Sequence, residues 1–336
     1  MPEVTIGIPV YNEEKHLSSA IESVLSQSFD DIEVIVSDNC STDSSLSIAR
    51  EFSKADPRVR VLRQNLNVGA ARNFELCRDN ATSPYFCWLG AHDLLTNDYL
   101  SEAVSHLRLN TDTALVYPQN AVYVDSLGDL FESGFYAGFP ACSRIDTSGI
   151  TDPLARATFV IRKIGACTNF HGVFKTEVAR SLPLRPIVSG DVLVIALASL
   201  YGHIRQIPIQ GIRRRVIRSE NDSEKEVRYR DVGLINPVHE LVGLHLRCVL
   251  ESSRVSVFSW IRHGIDFKDA LEFKFGTNSP HMHFLKSVRR EQRVSSILSI
   301  LRRFVSSPGS IVHRPTLGAL TNLLRGVRSI PGSETE

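Results

Sequence analysis

The stretch YFCWLGAHD, residues 85–93, decides the reading of the fold. The apolar run 85–89 fits a strand covered on both faces. Gly90 and Ala91 let the backbone turn tightly, and His92 and Asp93 follow at the carboxyl end of that strand. In open α/β sheets, ligands gather at that edge.

Three strand-and-helix units lead up to it. Residues 4–9 read as a central strand, followed by the polar loop Tyr11-Asn12-Glu13-Glu14. Leu17, Ala20, Ile21, Val24 and Leu25 then fall on one face of a helix over 16–27. Residues 32–36 form the next strand, ending on Ser37-Asp38-Asn39. Ser41-Thr42-Asp43 supplies capping chemistry for a helix over 44–54. A strand over 59–62, a turn over 65–70 and a helix over 71–78 complete the run. This alternation predicts βαβ units and a mainly parallel sheet. Right-handed crossovers place every strand-to-helix loop on one edge, so Glu13, Asp38, Arg72 and Asp93 are expected to converge there.

Composition fits a folded protein with a sizeable core: 336 residues, 43% hydrophobic and 22% charged. A net charge of +1 argues against a nucleic-acid partner. From His281 onward nine Lys or Arg stand against three acidic residues, a net of +6, which leaves −5 on the first 280 residues. The six cysteines form no CxxC pair, so neither a disulfide framework nor a zinc site is expected. The chain opens directly on a strand, without signal-peptide features. A cytoplasmic location is the expectation.

No GxGxxG follows the first strand and no GxxxxGK[ST] occurs, which disfavours a dinucleotide fold and a P-loop. Carboxylates at strand ends can instead accept hydrogen bonds from a base or a ribose. An arginine beside them can neutralise a pyrophosphate. A divalent metal held by few protein oxygens suits a nucleotide diphosphate. This chemistry fits transfer of a group away from such a nucleotide.

The motifs IGIPVYNEE (6–14), SDNCSTD (37–43), NVGAARN (67–73) and YFCWLGAHD (85–93), in this order and spacing, closely resemble the family 2 glycosyltransferases. The resemblance implies an α/β fold of GT-A (Rossmann-like) type, with the sheet flanked by helices. It also implies inverting transfer of a sugar from a nucleotide-sugar, a UDP-sugar being favoured, to an acceptor hydroxyl. Pro9, Tyr11 and Glu13 match residues around the base and ribose, and Asp38 the carboxylate that reads the base. Arg72 matches the basic residue near the diphosphate. Asp93 matches the carboxylate that binds Mn²⁺ or Mg²⁺. The usual acidic cluster is thinned to Gly90-Ala91-His92-Asp93-Leu94; His92 can supply a second ligand or a phosphate contact. Arg72 on a solvated helix face, and Asp38 or Asp43 as turn caps, are the plainer alternatives.

In the middle of the chain a helix is predicted over 98–109, with strands over 114–117 and 121–124. The segment 132–149 is irregular, either an acceptor-side loop or an insertion. Asp152-Pro153 starts a helix reaching 164. Residues 169–174 resemble the family's segment beneath the acceptor, where His171 contacts phosphate or acceptor, or is a buried hydrogen-bonded histidine. Asp191 opens a helix over 192–201 at the place of the family's ED motif. It is the candidate base for the acceptor proton, or that helix's cap. A strand over 204–209 leads to Arg213-Arg214-Arg215 and Arg218, either a diphosphate contact, with Arg214 the candidate, or a solvated basic loop.

The expected organisation is a glycosyltransferase domain over 1–220, divided into a nucleotide-sugar half (1–110) and an acceptor half (111–220). A helical C-terminal region follows over 221–336, with helices over 234–250 and 255–265. Arg-rich apolar stripes near its end suit an anionic membrane surface, the catalytic domain or a second subunit. Polysaccharide or cell-surface glycan synthesis, on a glycan or lipid-linked acceptor, is the family's commonest use. A non-catalytic sugar-nucleotide-binding or assembly subunit is the alternative that the thinned acidic cluster suggests.

Overall fold

The computed structural model describes residues 1–124, 135–136, 139–140, 143–164, 167–184, 190–215 and 254–275. The predicted helix over 234–250, the boundary at 220, Arg218 and the basic stripes lie outside the described residues.

The first half follows the sequence pattern closely. It runs β1 (Val4–Val10), α1 (Leu17–Leu25), β2 (Ile32–Asp38), α2 (Ser45–Ala55), β3 (Val59–Arg63), α3 (Ala70–Asp79) and β4 (Tyr85–Trp88). β1 pairs in parallel with β2 on one side and with β4 on the other, and β2 pairs in parallel with β3. The local order is therefore β3-β2-β1-β4, and the chain reverses its direction of winding between β1 and β4. Loops leaving these two strands diverge, which opens a crevice at their carboxyl ends.

The second half departs from a simple parallel sheet. It comprises β5 (Leu94–Leu95), α4 (Tyr99–Leu109), β6 (Thr113–Val124), a small pair β7 (Phe135–Tyr136) and β8 (Phe139–Pro140), and α5 (Pro153–Lys163). A 3-10 turn (Cys167–His171), β9 (Val173–Lys175), α6 (Thr176–Ser181), α7 (Gly190–Tyr201), β10 (His203–Arg215) and α8 (Val257–Phe275) follow. The main sheet has the order β3-β2-β1-β4-β9-β6-β10-β5. β9 is antiparallel to both β4 and β6, and β10 is parallel to β6 but antiparallel to β5.

Two expectations are corrected here. The strands predicted over 114–117 and 121–124 are one strand, β6. Pro118 lacks an N–H, and register shifts in β10 around Gln210 absorb the irregularity. Arg213, Arg214 and Arg215 belong to β10 instead of a loop after it, because pairing with β6 continues to Arg215↔Val124.

The core lies on both faces of the sheet. Val4, Ile6, Ile8 and Val10 of β1 point to one face, where α1 and α4 bury Leu17, Ile21, Val24, Tyr99, Leu100 and Val104. Each such large side chain contributes about 1.5–3 kcal/mol on burial. The alternate residues of β1 face α3: a Cβ at Gly7 would lie 2.6 Å from Cys77 Cβ and 2.9 Å from Phe86 Cζ. On that face Phe86 and Trp88 of β4 join α5, α6, α7 and α8, which buries Phe267 and Leu271 beside α5. Asp152 caps α5 by accepting from the N–H groups of Leu154 and Ala155, and Ser259 at the start of α8 donates to the same carboxylate. Among the described residues no helix is long and apolar enough to cross a membrane.

Candidate active site

The carboxyl ends of β1, β2 and β4 lie side by side, as the register pairs Val10↔Asp38 and Gly7↔Trp88 require. The loops after β1 and β2 are interlocked by polar contacts. Asn12 donates its N–H to Ser41 Oγ and accepts from Thr42 N–H, while Asp43 accepts from the N–H groups of Glu14 and Ser45. Asn12 (φ 55°) and Cys40 (φ 63°) are left-handed at these bends, a conformation that asparagine tolerates better than most residues. Burial pushes the Asp43 carboxyl up, but the hydrogen bonds from Ser45 and Glu14 outweigh it and hold the group below its ordinary value. Asp43 therefore binds one loop to the other.

Asp38 ends β2 and is 1% exposed, and its carboxylate lies 3.3 and 3.4 Å from the Ser41 N–H nitrogen. Beside it, Asn39 bridges to the NVGAARN turn: its side chain donates to Asn67 Oδ1 and accepts from Val68 N–H. Asn73 donates to the Ser37 carbonyl and accepts from the Ser37 hydroxyl. The motif residues 37–39 and 67–73 are thus fastened into one wall. Pro9 lies within β1, and Tyr11, 47% exposed, stands in the loop beyond it.

At the crevice between β1 and β4 the structure brings four predicted residues together. His92 Nδ1 lies 2.9 Å from Glu13 Oε1, joining residues from the two diverging loops. Asp93 is 1% exposed and accepts the Arg215 backbone N–H at 2.9 Å on Oδ1. Its Oδ2 lies 3.5 Å from His171 Nε2, and its Oδ1 4.0 Å from His92 Nε2. The loop is tight: a Cβ at Gly90 would meet Asp93 Oδ2 at 2.8 Å.

Two long-range strand pairings build this group. β5 pairs with β10 at Leu94↔Arg213, which delivers Arg215 to Asp93. β9 pairs with β4 at Cys87↔Val173, which carries His171 back beside Trp88. The His171 Nδ1 then meets the Trp88 carbonyl at 2.9 Å, and Tyr99 Oη donates to the His171 carbonyl. Gly172 is required beside it, since a Cβ there would lie 2.4 Å from Leu115 Cδ1 and 2.7 Å from the Val116 carbonyl oxygen. Trp88 stacks on Phe170, with centroids 4.8 Å apart, and closes the floor.

The two histidines have opposite electrostatics. Burial lowers the His92 pKa, but the Glu13 hydrogen bond and the Asp93 charge outweigh it, leaving His92 above an ordinary histidine. Burial dominates at His171 and holds it below the ordinary value despite Asp93. Arg214 is half-buried, and its charge acts on both imidazoles.

Arg72 is not brought to this group. It is half-exposed on α3, and its guanidinium bonds Glu75 Oε2 at 3.0 Å and Asp79 Oδ2 at 3.3 Å along its own helix. The acidic side chains one and two turns on capture it. Asp191 lies in the first turn of α7, with Oδ1 2.9 Å from the Val192 N–H, and α7 packs against the turn that carries His171. The sequence did not single out the Arg215 backbone or place His171 with Asp93; the only cue was the strand-like run that follows His171.

Residues 5–151 match the family model described as Glycosyl transferase family 2. The chain is 35% identical over 147 residues to "Chondroitin synthase" of Escherichia coli, covering 43% of this chain and 20% of that protein. It is 33% identical over 102 residues to "GalNAc(5)-diNAcBac-PP-undecaprenol beta-1,3-glucosyltransferase" of Campylobacter jejuni, covering 30% and 33%. The match thus spans a third or less of either relative. Among solved structures, the chain superposes on S. aureus TarS 1-349 in complex with UDP-GlcNAc with a TM-score of 0.62 at 14% identity, covering 89% of this chain and 81% of that one. At that identity the likeness is one of fold.

Proposed function

We propose, on the premise that the chain carries a family 2 glycosyltransferase domain of GT-A fold, that it transfers a sugar with inversion from a nucleotide-diphosphate sugar to an acceptor hydroxyl. The observation that carries this reading is the Glu13–His92–Asp93–His171 group at the crevice between β1 and β4, beside the wall that holds Asp38. A UDP-sugar is the favoured donor, and a glycan or lipid-linked acceptor the favoured recipient, in polysaccharide or cell-surface glycan synthesis. The expected setting is cytoplasmic, with membrane contact or self-association through the C-terminal region.

The residues divide the work by chemistry. Asp38 and Glu13 offer acceptor oxygens to base and ribose, and Tyr11 an exposed ring at the mouth. Arg214 places positive charge where a diphosphate would lie. Asp191 takes the acceptor proton as the hydroxyl oxygen bonds to the anomeric carbon, and the bond to the diphosphate oxygen breaks with its electron pair. The carboxylate of Asp93 is a hard oxygen donor with Oδ2 outside ordinary hydrogen-bond reach of its neighbour, which suits a divalent cation. When bound, such a cation supplies charge neutralisation at the departing diphosphate.

Calorimetry with UDP, GDP, dTDP and CDP, with and without Mn²⁺, tests the reading. One diphosphate should bind to the wild type, and Asp93→Ala should remove its metal-dependent component. Asp191→Asn should retain binding while diphosphate release falls at least 100-fold. Absence of binding to every nucleotide would sink the transferase reading. Binding without release over hours would make the chain a nucleotide-holding subunit.

A further inference from the structure

We propose that Asn73 is a positioning residue for the base end of the crevice. Its buried amide sets the directions in which Tyr11 and Asp38 leave their strands, and so governs which nucleotide base is accepted. The inference rests on the reading of this crevice as a nucleotide-sugar site. It goes further in naming the residue that fixes base selectivity.

The motif NVGAARN puts two polar side chains next to each other at the start of α3, and the structure sends them in opposite directions. Arg72 turns outward to Glu75 and Asp79. Asn73 turns inward and is 2% exposed. α3 packs on both β1 and β2, so the Asn73 amide reaches the ends of the two strands together. Its Nδ2 donates to the Ser37 carbonyl at 2.9 Å and approaches the Val10 carbonyl at 3.4 Å. Its Oδ1 accepts from the Ser37 hydroxyl at 2.7 Å.

Those two carbonyls belong to the peptide units that lead into the base-site residues. Val10 and Asp38 are register partners at the ends of β1 and β2. The Val10 carbonyl sits in the peptide before Tyr11, and the Ser37 carbonyl in the peptide before Asp38. A peptide unit is planar, so holding its carbonyl also holds the N and Cα of the next residue. One amide therefore orients both residues. The Val10 carbonyl is held from a second side by the Asn39 N–H at 2.9 Å. The Ser37 hydroxyl can donate only to the amide oxygen, which defines which way the amide faces. Asp38 is the last residue of β2 and has a short side chain, so its carboxylate follows the backbone beneath it.

Base selectivity is a difference between affinities. Hydrogen bonds to a base edge weaken steeply with misalignment, whereas attraction to a charged phosphate is not directional. A small displacement of Asp38 should thus cost the preferred base more than the others. A purely structural amide would instead lower the affinity for every nucleotide alike.

The test is calorimetry with UDP, GDP, dTDP and CDP on the full chain, below the melting range of each variant. Wild type is compared with Asn73→Ala, Asn73→Asp and Ser37→Ala. Asn73→Asp keeps the shape but sets an acceptor against two carbonyl oxygens. In both Asn73 variants the affinity for the preferred diphosphate should fall about tenfold or more, and for the others less than about threefold. Ser37→Ala should narrow the preference in the same direction by a smaller factor. Arg156→Met is the stability control, because it strands the Ser199, Ile150 and Thr151 carbonyls in the second half of the chain and should keep the wild-type preference. An unchanged preference in both Asn73 variants, an equal loss for all four nucleotides, or the same narrowing in Arg156→Met would each overturn the proposal. If the Asn73 variants fail to fold, the Ser37→Ala preference decides it. A wild type that binds none of the four would remove the donor reading and this inference together. Selective wild-type binding with unmoved variants removes this inference alone.

Discussion

Each functional side chain in the crevice is governed by the one it touches. His92 owes its raised pKa to Glu13 and Asp93 acting against burial. Glu13→Gln should therefore bring the His92 pKa down toward or below 6.5, readable as the shift of its ring proton resonance in a pH titration. Asp43 works in the opposite sense. Its carboxyl is held below 3.8 in the fold by the N–H groups it accepts, so its stabilising contribution is present above about pH 3.8. That contribution is lost as pH falls through the lower folded value. Asp43→Ala should be less stable than wild type at pH 7 by at most about 1 kcal/mol, because the group is partly solvated. The difference should shrink progressively in acid melts as pH falls below 3.8. Arg72 and Arg214 separate two readings of the diphosphate contact. With Arg72 engaged by Glu75 and Asp79, Arg72→Ala should weaken nucleoside-diphosphate binding less than Arg214→Ala, as calorimetry would show.

At the scale of elements, the strands that position the site depend on close approach. Gly7 lets α3 lie directly on β1, and a Cβ there would overlap Cys77 and Phe86. Gly7→Ala should cost about 1–3 kcal/mol by overpacking, seen as a lower urea midpoint with little change in slope. The helices of the first half were legible because each had a periodic apolar face: α1, predicted over 16–27, spans Leu17–Leu25. β6 and β10 were harder. Pro118 in one and Gly211 in the other look like breaks, yet the two strands run together with shifted register. A single-strand pattern cannot show that its partner carries a compensating bulge.

For the whole molecule, the two halves are joined through the sheet and through buried cations. Arg78 of α3 is buried and donates to the Ala179 and Leu182 carbonyls of the second half. Arg78→Met should strand those carbonyls and cost about 1–3 kcal/mol in denaturant unfolding. The α/β class, the strand-to-helix alternation up to β4, and the edge that gathers Glu13, Asp38 and Asp93 were determined by the sequence alone. Those features follow from local periodicity and from the fixed handedness of βαβ connections. Only the tertiary structure decided that His171 and the Arg215 backbone reach Asp93, and that Arg72 turns along its own helix. His171 arrives because β9 inserts antiparallel beside β4, and Arg215 because β5 pairs with β10. These are contacts between residues 78 and 122 positions apart. Pairing energy between distant strands sets them, and no local pattern in the chain encodes which strand will pair with which.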